Sequence, residues 1–187
     1  LWKMLIGAFH QPKEDECVFM FLDLKSSTAI AEKLGHIKYS LLIQQCFKEL
    51  DIVIKRRARI YQYVGDEVIL TWKRNEGIDD LNCIKTFFEF QQKIVDKSHF
   101  YLNTYGVIPK FKAGLNVGKI TIAEVGEIKT EIAYHGDTIN TAARIQAECN
   151  RLNSNILISE QLMQMLGPDN KYKYQFKDRI KLKGKNV

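Results

Sequence analysis

The stretch CVFMFLDL (Cys17 to Leu24) is apolar without interruption until Asp23. A strand with one wet face alternates apolar and polar residues, so an unbroken run reads as a strand buried on both faces. That strand is expected to be central, and it ends in an acid. A second acid pair stands at YQYVGDEVIL (Tyr61 to Leu70), where Asp66 and Glu67 follow Gly65 between two β-rich runs, ARIYQYV and EVILTW. A turn needs the glycine and one polar partner, not two acids flanked by core residues.

The remaining elements alternate. KSST supplies helix-starting residues, with Ser27 or Thr28 as the expected cap. From Tyr39, apolar residues recur at Leu42, Ile43, Cys46, Phe47, Leu50 and Val53, which is helical spacing. Asp79 to about Lys97 predicts a second amphipathic helix, with Leu81, Ile84, Phe87, Phe88 and Ile94 on its inner side. FKAGLNVGKITIAEV (Phe111 to Val125) reads as two strands around Gly118, and KTEIAYHG as an extended approach to a turn. DTINTAARIQAEC (Asp137 to Cys149) reads as a helix, NILIS as a short strand, EQLMQML as a short helix, and YKYQFKDRIKLKG as a last β-rich stretch. Two hairpins interrupt the strand–helix alternation. The fold class is therefore α+β, with a ferredoxin-like core and a mostly antiparallel sheet covered by helices.

At 187 residues, 45% of them hydrophobic and 27% charged, the chain is one globular domain rather than a disordered segment. A net charge of +6 and a pI of about 9.0 favour an anionic partner. The basic run KRRAR (Lys55 to Arg59) reads as a solvated helix end. The four cysteines, Cys17, Cys46, Cys83 and Cys149, sit in apolar patterns without metal-ligand spacing and read as core thiols. The histidines form no metal motif, and no apolar run approaches the roughly 20 residues of a membrane helix. The opening LWKMLIGAF reads as the end of a helix.

Asp23 at a strand end and Asp66 at a hairpin tip could face each other across adjacent strands. Two converging acids attract a hard divalent cation, and Mg²⁺ completes its shell with phosphate and water. The LKSST loop at a helix N-terminus offers backbone N–H groups to those phosphates. Taken singly, a helix cap for Asp23 and a turn residue for Asp66 are the simpler accounts.

The second half of the chain weighs against those simpler accounts. EIAYHGDTINTAARIQ resembles the signature of the class III nucleotide cyclases, a Gly-Asp-x-[Val/Ile]-Asn-x-Ala-x-Arg run opening a helix. FLDLKSST resembles their first metal motif and YVGDEV their second. GLNVGKITIAEVG, with Gly114, Gly118 and Gly126, is similar to their glycine-spaced hairpin, and LKGK to their Lys-Gly close. The resemblance runs in order from about Cys17 to Lys185.

This resemblance implies a class III cyclase homology domain, an adenylate cyclase-like phosphorus–oxygen lyase. Such an enzyme converts a nucleoside triphosphate, here most readily ATP, to the 3′,5′-cyclic monophosphate and pyrophosphate. It implies two Mg²⁺ or Mn²⁺ ions per site, with Asp23, Leu24 and Asp66 as the metal residues; Glu67 stays a hairpin residue. Asn140 and Arg144 would be the catalytic pair, Asn140 orienting the ribose and Arg144 neutralising charge at the α-phosphate. Lys25, Ser26, Ser27, Thr28 and Lys183 would meet the phosphates, although Lys183 also reads as a solvated lysine in a basic tail. The family's two base-choosing positions hold Gln62 and Ala133, a departure from both its adenylyl and guanylyl pairs. A Gln amide donates and accepts at once, which matches the N6 and N1 edge of adenine, but it can also flip to serve another base; Ala133 offers no polar group, so a guanylate or pyrimidine-nucleotide cyclase stays open as the alternative.

The family further implies a two-fold homodimer with shared sites. It places residues 16–187 in the catalytic domain, one strand short of its usual close, and residues 1–15 in the end of an upstream coupling helix and its linker. The expected setting is a cytoplasmic domain, with a membrane span or sensor allowed upstream and no nucleic-acid partner. Three rivals stand beside this reading: a diguanylate cyclase, whose hairpin has a second glycine where Val64 stands; a ferredoxin-like RNA-binding module, whose Lys/Arg-Gly-aromatic strand motif is missing; and a regulatory cyclase fold without activity.

Overall fold

The computed structural model describes residues 11–167 and 172–178. The LWKMLIGAF run, expected to end a helix, and the LKGK segment with Lys183 lie outside the described residues. The order is β1 (Lys13–Leu24), α1 (Ser27–Leu34), α2 (His36–Phe47), a 3₁₀ turn, α3 (Ile52–Lys55), β2 (Arg59–Val64), β3 (Glu67–Lys73) and α4 (Arg74–Ile78). After a second 3₁₀ turn come α5 (Asn82–Asp96), α6 (Ser98–Tyr105), β4 (Phe111–Val125), β5 (Glu131–His135), α7 (Asp137–Ala147), β6 (Ile156–Ile158) and α8 (Glu160–Leu166).

The strands form a six-stranded sheet in the order β2-β3-β1-β4-β5, with β6 pairing β4. Every pairing is antiparallel except β4 with β6. β1 is central, as its unbroken apolar run requires. Val18, Met20, Leu22 and Leu24 enter the main core with residues of α2, α5 and α6. Cys17, Phe19 and Phe21 point to the other face, where they meet Ile69, Ile120, Ile122 and Ala142 of α7. Each large side chain so buried stabilises the fold by on the order of 2 kcal/mol. Asp23 is next in the alternation, so the pleat points it to the α7 face.

The fold differs from the sequence reading in several places. Phe111–Val125 is one continuous strand, not two. Its glycines serve the approach of α7: a Cβ on Gly114 would lie 2.2 Å from the Gln146 nitrogen, and one on Gly118 2.7 Å from Thr138 Oγ1. KTEIAYHG contains a true strand, β5, paired with the far end of β4. Neither Ser27 nor Thr28 caps α1; the cap position is Ser26, with φ +57°, and it makes no side-chain cap bond. Phe88 is 41% exposed rather than internal and stacks on Tyr172, ring centroids 5.0 Å apart. Within KRRAR, Arg56 is not solvated: it bonds Glu89, pairs with Asp80 at 3.0 Å, and its carbonyl accepts from the buried Trp72 indole at 2.9 Å. Residues 172–178 carry no regular secondary structure. All four cysteines are buried and free. Among the described residues no helix is long and apolar enough to cross a membrane.

Candidate active site

The register sets Asp23 of β1 opposite Glu67 of β3 on one side and Lys112 of β4 on the other. Directly opposed residues share a face of the sheet. Glu67, Asp23 and Lys112 therefore form a rung across three strands at the end where α7 closes down. The expected facing pair was Asp23 and Asp66; the residue opposite Asp23 is Glu67, and Asp66 lies one step beyond, at the hairpin tip after Gly65 (φ +62°).

Asp23 Oδ2 accepts a 2.8 Å bond from Gln146 Nε2 of α7 and lies 3.3 Å from Lys112 Nζ. Burial raises its pKa, against the pull of Lys112. Glu67, half-buried, is pushed up to about 7 by burial and then by the charges of Asp23 and Asp66. Asp66 Oδ2 is buried with no hydrogen-bond partner. The Tyr39 phenol lies beside Asp66 and Ser27, and burial and the Asp66 charge push it up to about 12.

Three carboxyl groups, one of them with an orphaned buried oxygen, are costly unless a cation neutralises them. Among the described residues no three His, Cys, Asp or Glu side chains make a closed metal cage. Few protein carboxylates and an otherwise open shell suit Mg²⁺, which keeps water and phosphate as its other ligands. Asp23 and Asp66 thus fit a hard divalent cation. The Leu24 side chain is in the core at 1% exposure, so only its main-chain oxygen is available to such an ion.

The loop after β1 leads into the N-terminus of α1, where no side chain caps the backbone. Ser26, Ser27 and Thr28 leave its amides to an outside acceptor, and Ser27 and Thr28 line a shallow cleft with Tyr39. Lys25 donates its Nζ to Asn155 at 2.9 Å and its backbone N–H to Lys110.

On α7, Thr138, Ala142 and Gln146 form the buried stripe against the sheet. Asn140 and Arg144, one turn apart, share a different face. Asn140 is exposed. Arg144 Nη1 is buried, has no hydrogen-bond partner, and lies 4.0 Å from Asp137 Oδ1. The side of α7 that reaches Asp23 is not the side that carries Asn140 and Arg144.

Gln62 and Ala133 are not brought together. The β2–β3 register slips between Ile60 and Gln62, which turns Gln62 to the face of its partner Ile69. In β5 it is Tyr134 that pairs with Ile122 on that face and packs edge-on against Tyr61, centroids 4.8 Å apart. Ala133, one residue earlier, points to the opposite side.

Sequence reasoning gave no site role to four residues of this region, although Glu67 stood out in it as half of an acid pair. Glu67 needed the strand register, Lys112 the β1–β4 pairing, Gln146 the docking of α7, and Tyr39 the packing of α2 beside the hairpin.

The family model for the adenylate and guanylate cyclase catalytic domain matches residues 9–187. The chain belongs to this family. Adenylate cyclase 2 of Rhizobium meliloti (strain 1021) is 36% identical to this cyclase domain over 166 residues, covering 88% of this chain and 46% of that protein. The receptor-type guanylate cyclase gcy-6 of Caenorhabditis elegans is 25% identical over 191 aligned positions, covering 99% of this chain and 17% of that protein. The cyclase domain thus spans less than half the length of either curated relative. The crystal structure of the adenylyl cyclase CyaB from P. aeruginosa matches with a TM-score of 0.80 at 17% identity, over 95% of this chain and 92% of that one. That likeness is one of fold, and it bears out the α+β reading. Family membership sets aside the diguanylate cyclase and the RNA-binding module.

Proposed function

We propose that this domain converts ATP to 3′,5′-cyclic AMP and pyrophosphate, with Mg²⁺ or Mn²⁺ held at Asp23 and Asp66, at sites shared between two copies of the chain. The observation that carries the reading is the acidic end of the sheet, where Asp66 Oδ2 is buried without a partner beside the uncapped N-terminus of α1. Kinship with adenylate cyclase 2 supports the choice of ATP.

Asp23, the main-chain oxygen of Leu24 and Asp66 would hold the ions, two per site. Bound there, the ions would neutralise phosphate charge and lower the pKa of the ribose 3′-hydroxyl. The 3′-oxygen gives up its proton to solvent water and forms its bond to the α-phosphorus as the bond from that phosphorus to the leaving pyrophosphate breaks, so positioning and charge carry the catalysis. The backbone of Ser26, Ser27 and Thr28 cradles the phosphates, with Lys25 and, by resemblance to the family alone, Lys183 as the basic residues that meet them. Asn140 orients the ribose. Arg144 brings its guanidinium to the charge that grows at the α-phosphate. Gln62 reads the adenine edge.

The shared site is supported by α7. Its Gln146 side touches the Asp23 of its own chain, and its Asn140–Arg144 side faces elsewhere. A two-fold pair of chains lets that second side complete the partner's site. β1 begins at Lys13, so the catalytic domain takes in residues 13–15 as well as 16–187.

The test is turnover of each of the four nucleoside triphosphates with Mn²⁺, products identified by mass spectrometry. Cyclic AMP is the expected main product, and a folded Asp66→Asn chain loses activity by about a hundredfold or more. Near wild-type turnover by that variant would overturn the metal assignment, and preferential cyclisation of another nucleotide would overturn the choice of ATP.

A further inference from the structure

We propose that Gln146 is a positioning residue for the metal: it holds Asp23 Oδ2 and so presents Oδ1 to the ion. The inference rests on the reading of Asp23 and Asp66 as metal ligands. An ionised carboxylate offers about four lone-pair sites, two on each oxygen. Gln146 Nε2 at 2.8 Å and Lys112 Nζ at 3.3 Å both converge on Oδ2. That oxygen is filled by donors from two different elements, α7 and β4. Its twin keeps both of its lone pairs for a cation.

The two donors differ in kind. Lys112 is a charge, and it competes with a metal ion for the same carboxylate. Gln146 is neutral, so it fixes the carboxyl rotamer without opposing a cation. Its own position is closely set. Gln146 is 7% exposed, and its backbone packs so tightly over Gly114 that a Cβ there would come within 2.5 Å of the Gln146 Cα. The amide therefore has little freedom to follow Asp23 if that acid rotates. A buried amide with one hydrogen-bonded acid is the kind of outer partner whose loss commonly weakens a metal site by 10- to 100-fold.

The test is Mn²⁺ binding to the nucleotide-free chain, followed by the electron paramagnetic resonance signal of free Mn²⁺. Gln146→Met keeps the length and the apolar stem and removes the donor. Gln146→Asn keeps an amide one methylene short. The expected order of affinity is wild type, then Gln146→Asn, then Gln146→Met, with the last weakened on the order of tenfold. In turnover, the Mn²⁺ concentration for half activity rises in the same order, while kcat at saturating Mn²⁺ stays within about twofold of wild type. A purely structural role would instead lower kcat at every Mn²⁺ concentration. Circular dichroism checks that each chain is folded; should Gln146→Met not fold, Gln146→Asn against wild type carries the comparison. Unchanged Mn²⁺ affinity in the folded variants, or a loss of kcat that saturating Mn²⁺ does not restore, overturns the inference. Asp23→Asn is the control that separates the two readings. If it abolishes binding while the Gln146 variants bind normally, the positioning role fails and the metal site stands. If wild type and Asp23→Asn bind Mn²⁺ equally, the metal assignment fails, and the positioning role with it.

Discussion

Glu67, Asp23 and Asp66 bring three carboxyl groups to one end of the sheet, and Glu67 bears the cost most visibly. Its folded pKa of about 7 stands above the ordinary 4.5, through burial first and its two acidic neighbours second. A group whose folded pKa is raised stabilises the fold fully below its unfolded pKa, and that contribution is lost as pH rises through the folded value. In metal-free buffer, stability should therefore fall between about pH 4.5 and above 7. Glu67→Gln removes that fall. At pH 8 the variant should be the more stable by about 1 kcal/mol, once solvent screening of a half-buried carboxyl is allowed for. That corresponds to about 2–4 °C in Tm, and the gain should vanish at pH 4.5. Thermal melts with a chelator at the two pH values check it; the same difference at both would show that Glu67 is not held in its neutral form by its surroundings.

At the scale of elements, the contact between α7 and β4 sets the position of both groups of residues proposed for the chemistry. Gly114 and Gly118 let the helix lie on the strand, and that approach puts Gln146 over Asp23. Gly114→Ala would drive a methyl group into the Gln146 backbone, which is not the yielding end of a flexible side chain. Overpacking of this kind costs about 1–3 kcal/mol. A drop of several degrees in Tm is expected, with a further loss of turnover because α7 also carries the proposed catalytic pair, Asn140 and Arg144. An unchanged melting temperature would show that the helix can lift off the strand at little cost.

For the whole molecule, the proposed two-fold pair has a countable consequence. Asp23→Asn and Arg144→Ala should each be inactive alone. In a mixed pair, one shared site carries both lesions and the other carries neither. Random pairing makes half the pairs mixed, and half of their sites are intact, so mixing equal amounts should restore roughly a quarter of wild-type activity. If each site belonged to one chain, every site would be damaged and nothing would return. Turnover should also rise faster than linearly with protein concentration where pairing is incomplete. No recovery, with mixed pairs demonstrated by native mass spectrometry, would sink the shared site.

The sequence alone determined most of the strands and helices, which family the chain belongs to, and where its acids and its Asn140–Arg144 pair fall along the chain. Those features are local: an apolar run, a 3.6-residue period, a glycine before an acid. The central place of β1 was legible because a run apolar on both faces has nowhere else to go. The tertiary structure decided what register and docking decide. It set Glu67 rather than Asp66 opposite Asp23, turned Gln62 and Ala133 to different faces, kept β4 continuous through Gly118, paired Arg56 with acids outside its own helix, and laid Gln146 on an acid 123 residues away. A strand can slide by one residue without changing its composition, and each such step exchanges the two faces of the sheet. The sequence fixes the side chains in order, but only the pairing of distant strands fixes which of them meet.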